Sequence, residues 1–108
     1  AALAAGAPVA IEHRASFADG IGGRSVLAEM WPLASSLLAG SIVVSVAEVA
    51  AAVRLLATRN RVVAEGAGAA ALAAALTGKA GKGRVACIVS GGNIDAAKLA
   101  VILGGGVP

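Results

Sequence analysis

Short apolar runs alternate in this sequence with segments of helical spacing, and this alternation limits the folds open to the chain. Residues 41–46 are rich in β-branched side chains, and residues 85–89 form a fully apolar run, as expected of a buried parallel strand. Ser45 and Glu48 have the spacing of a capping box, and an apolar stripe of helical period follows them to Ala57. The alternation predicts an α/β fold, in which an open, mainly parallel sheet is flanked by helices.

Local start and stop residues indicate further helices. Gly6 should end a short helix, and Asp95 is placed to cap the last one. Pro32 either kinks one helix or begins a second. The helices predicted in addition to the capped one cover residues 2–5, 26–38, 67–76 and 96–103, and short extended segments are predicted at residues 8–12 and 61–65.

The core that this chain can build is poor in large side chains. The sequence is 58% hydrophobic but only 2% aromatic, because much of the apolar count is alanine. Alanine buries little apolar area at roughly 25 cal/mol per Å². The small residues suit a chain that packs closely inside a larger protein, although a GC-rich genome would also enrich alanine and glycine. The sequence leaves both interpretations open.

Charge and cysteine content exclude several classes of function. The net charge is +3, but the nine Lys and Arg are scattered without interleaved aromatic residues, which does not favour nucleic-acid binding. The longest uncharged stretch, residues 30–47, is interrupted by Pro32 and several serines, so no membrane span is expected. The single cysteine, Cys87, can form no intrachain disulfide and should be buried and inert. These features predict a soluble, cytoplasmic protein.

Three glycine-rich loops could carry chemistry, and each also has an ordinary structural explanation. Asp19-Gly20 fits a simple turn. The loop that begins at Glu65 partly matches a dinucleotide fingerprint, but residues 85–92 lack the acidic residue that would bind the ribose. The third loop, residues 90–93, follows the predicted strand at residues 85–89. Ligands of open α/β sheets bind at the carboxyl ends of strands, so this turn is a candidate binding site.

In this order, the three loops resemble those of the fold-type II pyridoxal phosphate enzymes. The resemblance is closest to the threonine dehydratase, serine dehydratase and serine racemase branch, and it covers residues 1–97. The family usually has Pro where Gly66 stands and Ile where Phe17 stands. The motifs that carry the resemblance are Ser16-Phe17-Ala18-Asp19-Gly20, Trp31-Pro32-Leu33, Val44-Ser45-Val46-Ala47-Glu48-Val49, Glu65-Gly66-Ala67-Gly68-Ala69-Ala70 and Val89-Ser90-Gly91-Gly92-Asn93-Ile94-Asp95.

The resemblance implies a cofactor-binding role for residues of all three loops. Ser90 would bind the pyridine nitrogen of pyridoxal 5'-phosphate, the backbone at Gly20 would lie near its phenolic oxygen, and Glu65 would face the cofactor. A hydroxyl at the pyridine nitrogen favours elimination over transamination. The implied activity is therefore deamination of serine or threonine to a 2-oxo acid by β-elimination. The turn residues implied in shaping the site around Ser90 are Gly91, Gly92 and Asn93.

The resemblance also implies that essential parts of such an enzyme lie outside this sequence. The Schiff-base lysine and the phosphate-binding loop precede the matching region in the family, and none of Lys79, Lys82 and Lys98 stands in that lysine's motif. We expect residues 1–108 to be the C-terminal part of one catalytic domain, without a separate second domain, a catalytic residue or a metal ligand. Its expected partners are the remainder of the catalytic domain, an amino-acid substrate and further copies in a homo-oligomer.

On its own, this chain is expected to bind no cofactor and to be inactive. Two alternatives remain open. The enzyme could be a racemase or another member such as threonine synthase, or the chain could be a non-catalytic module that oligomerises through its apolar surface.

Overall fold

The computed structural model describes every residue from Ala1 to Pro108 and contains five α-helices. Short 3₁₀ turns lie at Asp19–Ile21 and Ala28–Met30, and a π-helical segment, Leu56–Asn60, continues the third helix. The helices are α1 (Ala2–Ala5), α2 (Trp31–Leu37), α3 (Val46–Leu55), α4 (Gly66–Leu76) and α5 (Ala96–Leu103). The chain forms two compact units: Ala1–Ala15 with Gly22–Ser41, and Ser16–Ile21 with Ile42–Pro108.

The first unit contains α1 and α2 and buries no residue of either helix. Helix α1 ends where Gly6 adopts the left-handed conformation, as the sequence predicts. Pro32 lies in the first turn of α2, where its missing N–H would have no helical partner in any case. Of the two alternatives for Pro32, the structure therefore shows a helix start and not a kink.

The second unit packs α3 against α4 and α5 around a small core. The Ser45–Glu48 capping box is formed in both directions, because each side chain accepts from the backbone N–H of the other residue. The Asp95 carboxylate caps α5 by accepting from the N–H groups of Ala97 and Lys98. Both predicted caps are thus confirmed. The core residues of the three helices and of the π-helical segment are Val49, Ala50, Ala52, Val53, Leu56, Ala69, Ala73 and Ile102.

No β-strand forms in this structure, so the predicted sheet is not confirmed. The apolar run at residues 85–89 is mostly exposed, with Ile88 77% exposed, and Cys87 is half-buried. The predictions of a buried strand and a buried thiol are therefore wrong for this chain. A strand needs a neighbouring backbone to complete its hydrogen bonds, and the composition of a segment does not report whether such a partner is present. None of the helices combines the length and apolar character needed to cross a membrane.

Candidate functional site

The three glycine-rich loops meet at the N-terminal end of α4. Glu65 is the residue before this helix, and its backbone N–H donates to the Gly91 carbonyl at 3.0 Å. The Ser90 N–H donates to the carbonyl of Gly68, in the first turn of α4, at 3.4 Å. The turn with Gly20 lies on the same helix end, since a methyl group at Gly20 would be 2.9 Å from Cβ of Ala67. Residues far apart in the sequence therefore form one cluster.

Two glycines allow the turn at residues 90–93 to approach its neighbours closely. Any side chain at Gly68 would collide with the Ser90 carbonyl oxygen. A methyl group at Gly92 would lie 2.8 Å from the Val63 carbonyl oxygen, a distance too short for a real contact. Backbone therefore packs directly on backbone here, as expected of glycine where two chain segments meet. The exposed face of the turn is free of large side chains at Gly91 and Gly92.

The Glu65 carboxylate lies between the other two loops. Gly91 has a φ of +65°, and a side chain there would collide with this carboxylate. On the other side, Oε1 of Glu65 is 3.7 Å from the position of a methyl group at Gly20. Glu65 is half-buried, whereas Gly20, Ser90 and Gly91 are exposed. A carboxylate, a serine hydroxyl and bare glycine backbone thus share one accessible surface.

Not every predicted site residue joins these contacts equally. The structure brings together Gly20, Glu65, Ser90 and Gly91, and it packs Gly92 on the backbone of Val63. Asn93 is exposed beside them, and its side chain forms no hydrogen bond to the other loops. No three His, Cys, Asp or Glu side chains lie together in a way that could hold a metal ion.

Beneath the cluster, Gly66 contacts Phe17 and Ala18, and the sequence does not predict this contact. Gly66 is buried, and a methyl group there would be 2.8 Å from Cε2 of Phe17 and 2.8 Å from Cα of Ala18. Phe17, only 5% exposed, therefore covers the first residue of α4. Both Gly66 and Phe17 depart from the family pattern. That double departure was the only sign in the sequence that the two residues are neighbours.

Comparison with known proteins identifies the family to which this chain belongs. The model of the pyridoxal-phosphate dependent enzyme family matches residues 1–91, a span that includes the cluster as far as Gly91. This chain belongs to that family. The resemblance seen in the motifs is therefore confirmed, and with it the pyridoxal-phosphate dependence of the family.

Two curated bacterial proteins narrow the likeness to one branch. The chain is 38% identical over 99 residues to a protein of Sinorhizobium fredii named "Putative threonine dehydratase". It is 32% identical over 103 residues to the L-threonine ammonia-lyase of Geobacter sulfurreducens. These alignments cover 88% and 94% of this chain, but only 30% and 26% of the two relatives. The chain thus spans less than a third of the length of either relative.

Proposed function

We propose that this chain forms the C-terminal part of the catalytic domain of a threonine/serine dehydratase that depends on pyridoxal phosphate. The reaction would convert a 3-hydroxy amino acid into a 2-oxo acid by β-elimination. One observation supports this above all: Ser90 and Gly91 converge with Gly20 and Glu65 at the start of α4. The names of the two relatives support threonine as the substrate class. In the whole enzyme, segments 41–46 and 85–89 would pair with strands of a mainly parallel sheet of fold type II.

The cluster has a shape and donor set that fit a flat, polar cofactor. Side chains at Gly20 or Gly91 would fill the space beside the Glu65 carboxylate, and glycine leaves it open. The exposed Ser90 hydroxyl can both donate and accept one hydrogen bond. Sites of this kind combine a bare surface for a ring with a few convergent polar groups. The residues present therefore fit pyridoxal phosphate.

Each residue of the cluster would have a definite role toward that cofactor. The Ser90 hydroxyl would hydrogen-bond the pyridine nitrogen, and Gly91, Gly92 and Asn93 would shape the turn around it. The Gly20 backbone would lie by the phenolic oxygen, and Glu65 would orient the ring. When bound, pyridoxal phosphate supplies an electron sink for negative charge at the substrate's α-carbon.

The identity of Ser90 favours elimination among the reactions of this family. A carboxylate at this position would hold a proton on the pyridine nitrogen, because the two opposite charges would stabilise each other. A serine hydroxyl carries no charge and does not hold that proton. The α-carbon of the substrate therefore keeps more negative charge, which favours loss of the β-hydroxyl over transamination.

The covalent link to the cofactor is proposed to come from outside this sequence. Lys79 donates from Nζ to the Val43 carbonyl at 3.2 Å, and it lies with Lys82 and Lys98 on exposed surface. When the isolated chain is mixed with equimolar pyridoxal phosphate and reduced with borohydride, we expect only low, scattered labelling of its exposed lysines, with no single lysine labelled stoichiometrically. Mass spectrometry of the digested protein would detect a label. Stoichiometric modification of one of these lysines would contradict this part of the proposal.

A chimera tests the activity itself. This chain would replace the matching segment of the Sinorhizobium relative, and formation of 2-oxo acid from L-threonine would be followed with a coupled dehydrogenase. We expect turnover that falls at least about tenfold with Ser90→Asp, because an aspartate would hold the pyridine nitrogen protonated. Ser36→Asp, at an exposed site of α2, is the matched control because it adds the same charge away from the cluster. Turnover unaffected by Ser90→Asp would contradict the role of Ser90.

The same chimera separates the enzyme alternatives. A racemase would produce the D-amino acid from its L-enantiomer, and an enzyme similar to threonine synthase would form threonine from a phosphorylated substrate. Chiral chromatography of the products distinguishes these reactions from 2-oxo acid formation.

The non-catalytic module is the candidate from another class, and the exposed apolar side chains favour it. Val43 is 80% and Ile88 77% exposed, and large exposed apolar surfaces mark interaction sites. Size-exclusion chromatography tests this candidate. A soluble, discrete oligomer of the isolated chain, together with an inactive chimera, would favour the module over the enzyme.

A further inference from the structure

A groove on the second unit lies apart from the glycine loops and shares no residue with them. One wall is the outer face of α3 and the π-helical segment that continues it, and the other is the end of α5 and the tail that follows. The groove has a volume of about 600 Å³, within the range of small-molecule sites. Ala50 and Ile102 form a buried floor, and Leu55 and Val107 are apolar side chains on the open sides.

Two arginines give this apolar groove a positive charge. Arg54 and Arg59 both line it and are both exposed. No aspartate or glutamate is among the residues that line the groove, and the one acidic residue of α3, Glu48, caps the start of that helix. The guanidinium is suited to bind a carboxylate through two parallel hydrogen bonds. The groove thus combines an apolar lining with two cationic groups and no acidic lining residue.

The guanidinium of Arg54 lies beside the tail that forms one wall of the groove. A methyl group at Gly105 would lie 3.1 Å from Nη1 of Arg54, so the guanidinium rests against the tail wall. Thr58 also lines the groove, but its hydroxyl donates to the Arg54 carbonyl at 2.7 Å and is not free to donate to a ligand. The arginines are therefore the groups available to recognise an anion.

We propose that this groove binds a small aliphatic carboxylate. The chain of the ligand would lie along the alanine face of α3 and over Ile102, and its carboxylate would meet Arg54 and Arg59. An uncharged molecule of the same length would bury the same apolar area without neutralising the arginines. Both the negative charge and the apolar length of the ligand should therefore raise its affinity for the groove.

Octanoate is the probe for the first test, and octanol is its uncharged counterpart. Each would be titrated into the full chain while backbone amide signals are followed by NMR. We expect octanoate to shift the signals of Ala51, Gly105 and Gly106 in a saturable way, and to bind at least about tenfold more tightly than octanol. Equal binding of the two probes, or shifts scattered over the whole surface, would overturn the proposal.

A second test uses variants of exposed residues, which should leave the fold intact. The double variant Arg54→Gln/Arg59→Gln should weaken octanoate binding about tenfold and leave octanol binding unchanged. Ala51→Phe should obstruct the groove for both probes, because Ala51 lies on its exposed wall. Lys98→Gln removes one positive charge outside the groove and should change neither affinity. Loss of octanoate binding in Lys98→Gln equal to that in the double arginine variant would overturn the proposal.

Discussion

Phe17 and Gly66 show how two unusual residues can depend on each other. Each departs from the family pattern, although the two positions are far apart in the sequence. In the structure, the Phe17 ring covers Gly66, and a methyl group at Gly66 would be 2.8 Å from Cε2 of the ring. The large side chain at position 17 thus occupies space that a side chain at position 66 would need. Close packing of this kind couples neighbouring residues energetically.

Gly66→Ala should destabilise the chain because the added methyl would overlap both the Phe17 ring and the backbone of Ala18. We expect a loss of about 1–3 kcal/mol in the free energy of unfolding, as for other overpacked sites. In a Phe17→Ile background the same change should cost about 1 kcal/mol less, because the ring is absent. Urea unfolding of the four proteins in this double-mutant cycle, followed by circular dichroism, measures both quantities.

Gly40→Ala is the matched control for this cycle, because no atom lies within 4 Å of the added methyl group. It should change the free energy of unfolding by less than about 0.5 kcal/mol. Strict additivity of Phe17→Ile and Gly66→Ala would show that the two residues are not coupled.

At the residue scale, the sequence predicts which residues form the candidate site better than it predicts which residues touch each other. The roles expected of Ser90 and Glu65 come from motifs, and those residues do lie in one cluster. The contact of Phe17 with Gly66 depends on how a loop folds back on α4, over nearly fifty positions of sequence. No local rule of spacing or propensity reports such a contact.

Among the elements, α3 begins at a capping box whose two residues, Ser45 and Glu48, are both recognisable in the sequence. The Ser45 Oγ accepts from the Glu48 N–H at 3.2 Å, and the Glu48 carboxylate accepts from the Ser45 N–H at 2.6 Å. Helix caps are formed by residues three positions apart, so the sequence predicts them well. The strand predictions depend on a partner elsewhere in the chain or in another chain. This difference in range explains why the caps are confirmed and the sheet is not.

Ser45→Ala should remove one half of the capping box and leave the Glu48 N–H without its acceptor. We expect a loss of about 1 kcal/mol in the free energy of unfolding, typical of helix N-caps. Ser45→Asp should retain most of the stability, because aspartate is also a good cap. Urea unfolding measures both variants, with Ser41→Ala as the control at an exposed position before the helix. A loss as large in Ser41→Ala would contradict the capping role.

The capping box should also make the stability of α3 depend on pH. The backbone N–H and the hydroxyl of Ser45, together with the more distant Lys79, lower the pKa of Glu48 below its ordinary value of 4.5. Because the pKa is lower in the folded state, this contribution is fully present above pH 4.5 and is lost as the pH falls through the folded value. Glu48→Gln should remove that part of the pH dependence between neutral and acidic solution.

Unfolding curves of the wild type and Glu48→Gln at neutral and acidic pH would measure this effect. The difference in stability between the two proteins should be largest at neutral pH and should shrink as the solution becomes acidic. Glu29→Gln, at an exposed position in the other unit, serves as the control. The difference in stability between the wild type and Glu29→Gln should not change with pH. A constant difference between wild type and Glu48→Gln at all pH values would contradict the assignment.

In the whole molecule, small side chains fill much of the core, and many large apolar side chains lie on the surface. The largest side chains with less than 2% exposure are Val53 and Ile102, and much of the remaining core is alanine. Large apolar residues such as Val43, Leu37 and Ile88 are instead exposed by more than 70%. The composition left open whether the alanines reflect close packing in a larger protein or only genome content. Exposed apolar segments with unpaired backbone favour the first interpretation.

We expect the isolated chain to self-associate through these exposed extended segments. Apart from the Val43 carbonyl, which accepts from Lys79, the backbone groups of residues 42–44 and 85–89 have no hydrogen-bond partner. Their side chains are mostly apolar, and both properties are typical of a strand edge that pairs with another chain. The double variant Val43→Lys/Ile88→Lys should shift the population toward monomer, because charged side chains on an edge oppose pairing. Sedimentation velocity over a wide range of protein concentration measures the effect.

The charge added by the two lysines needs its own control, since any increase in net positive charge opposes association. Thr58→Lys/Asn60→Lys adds the same charge at exposed polar positions outside the extended segments. We expect it to leave association close to that of the wild type, because the edges remain apolar. Equal dissociation in both double variants would show that net charge, and not the strand edges, controls association. A wild type that stays monomeric at every concentration would instead show that the exposed edges do not pair between copies.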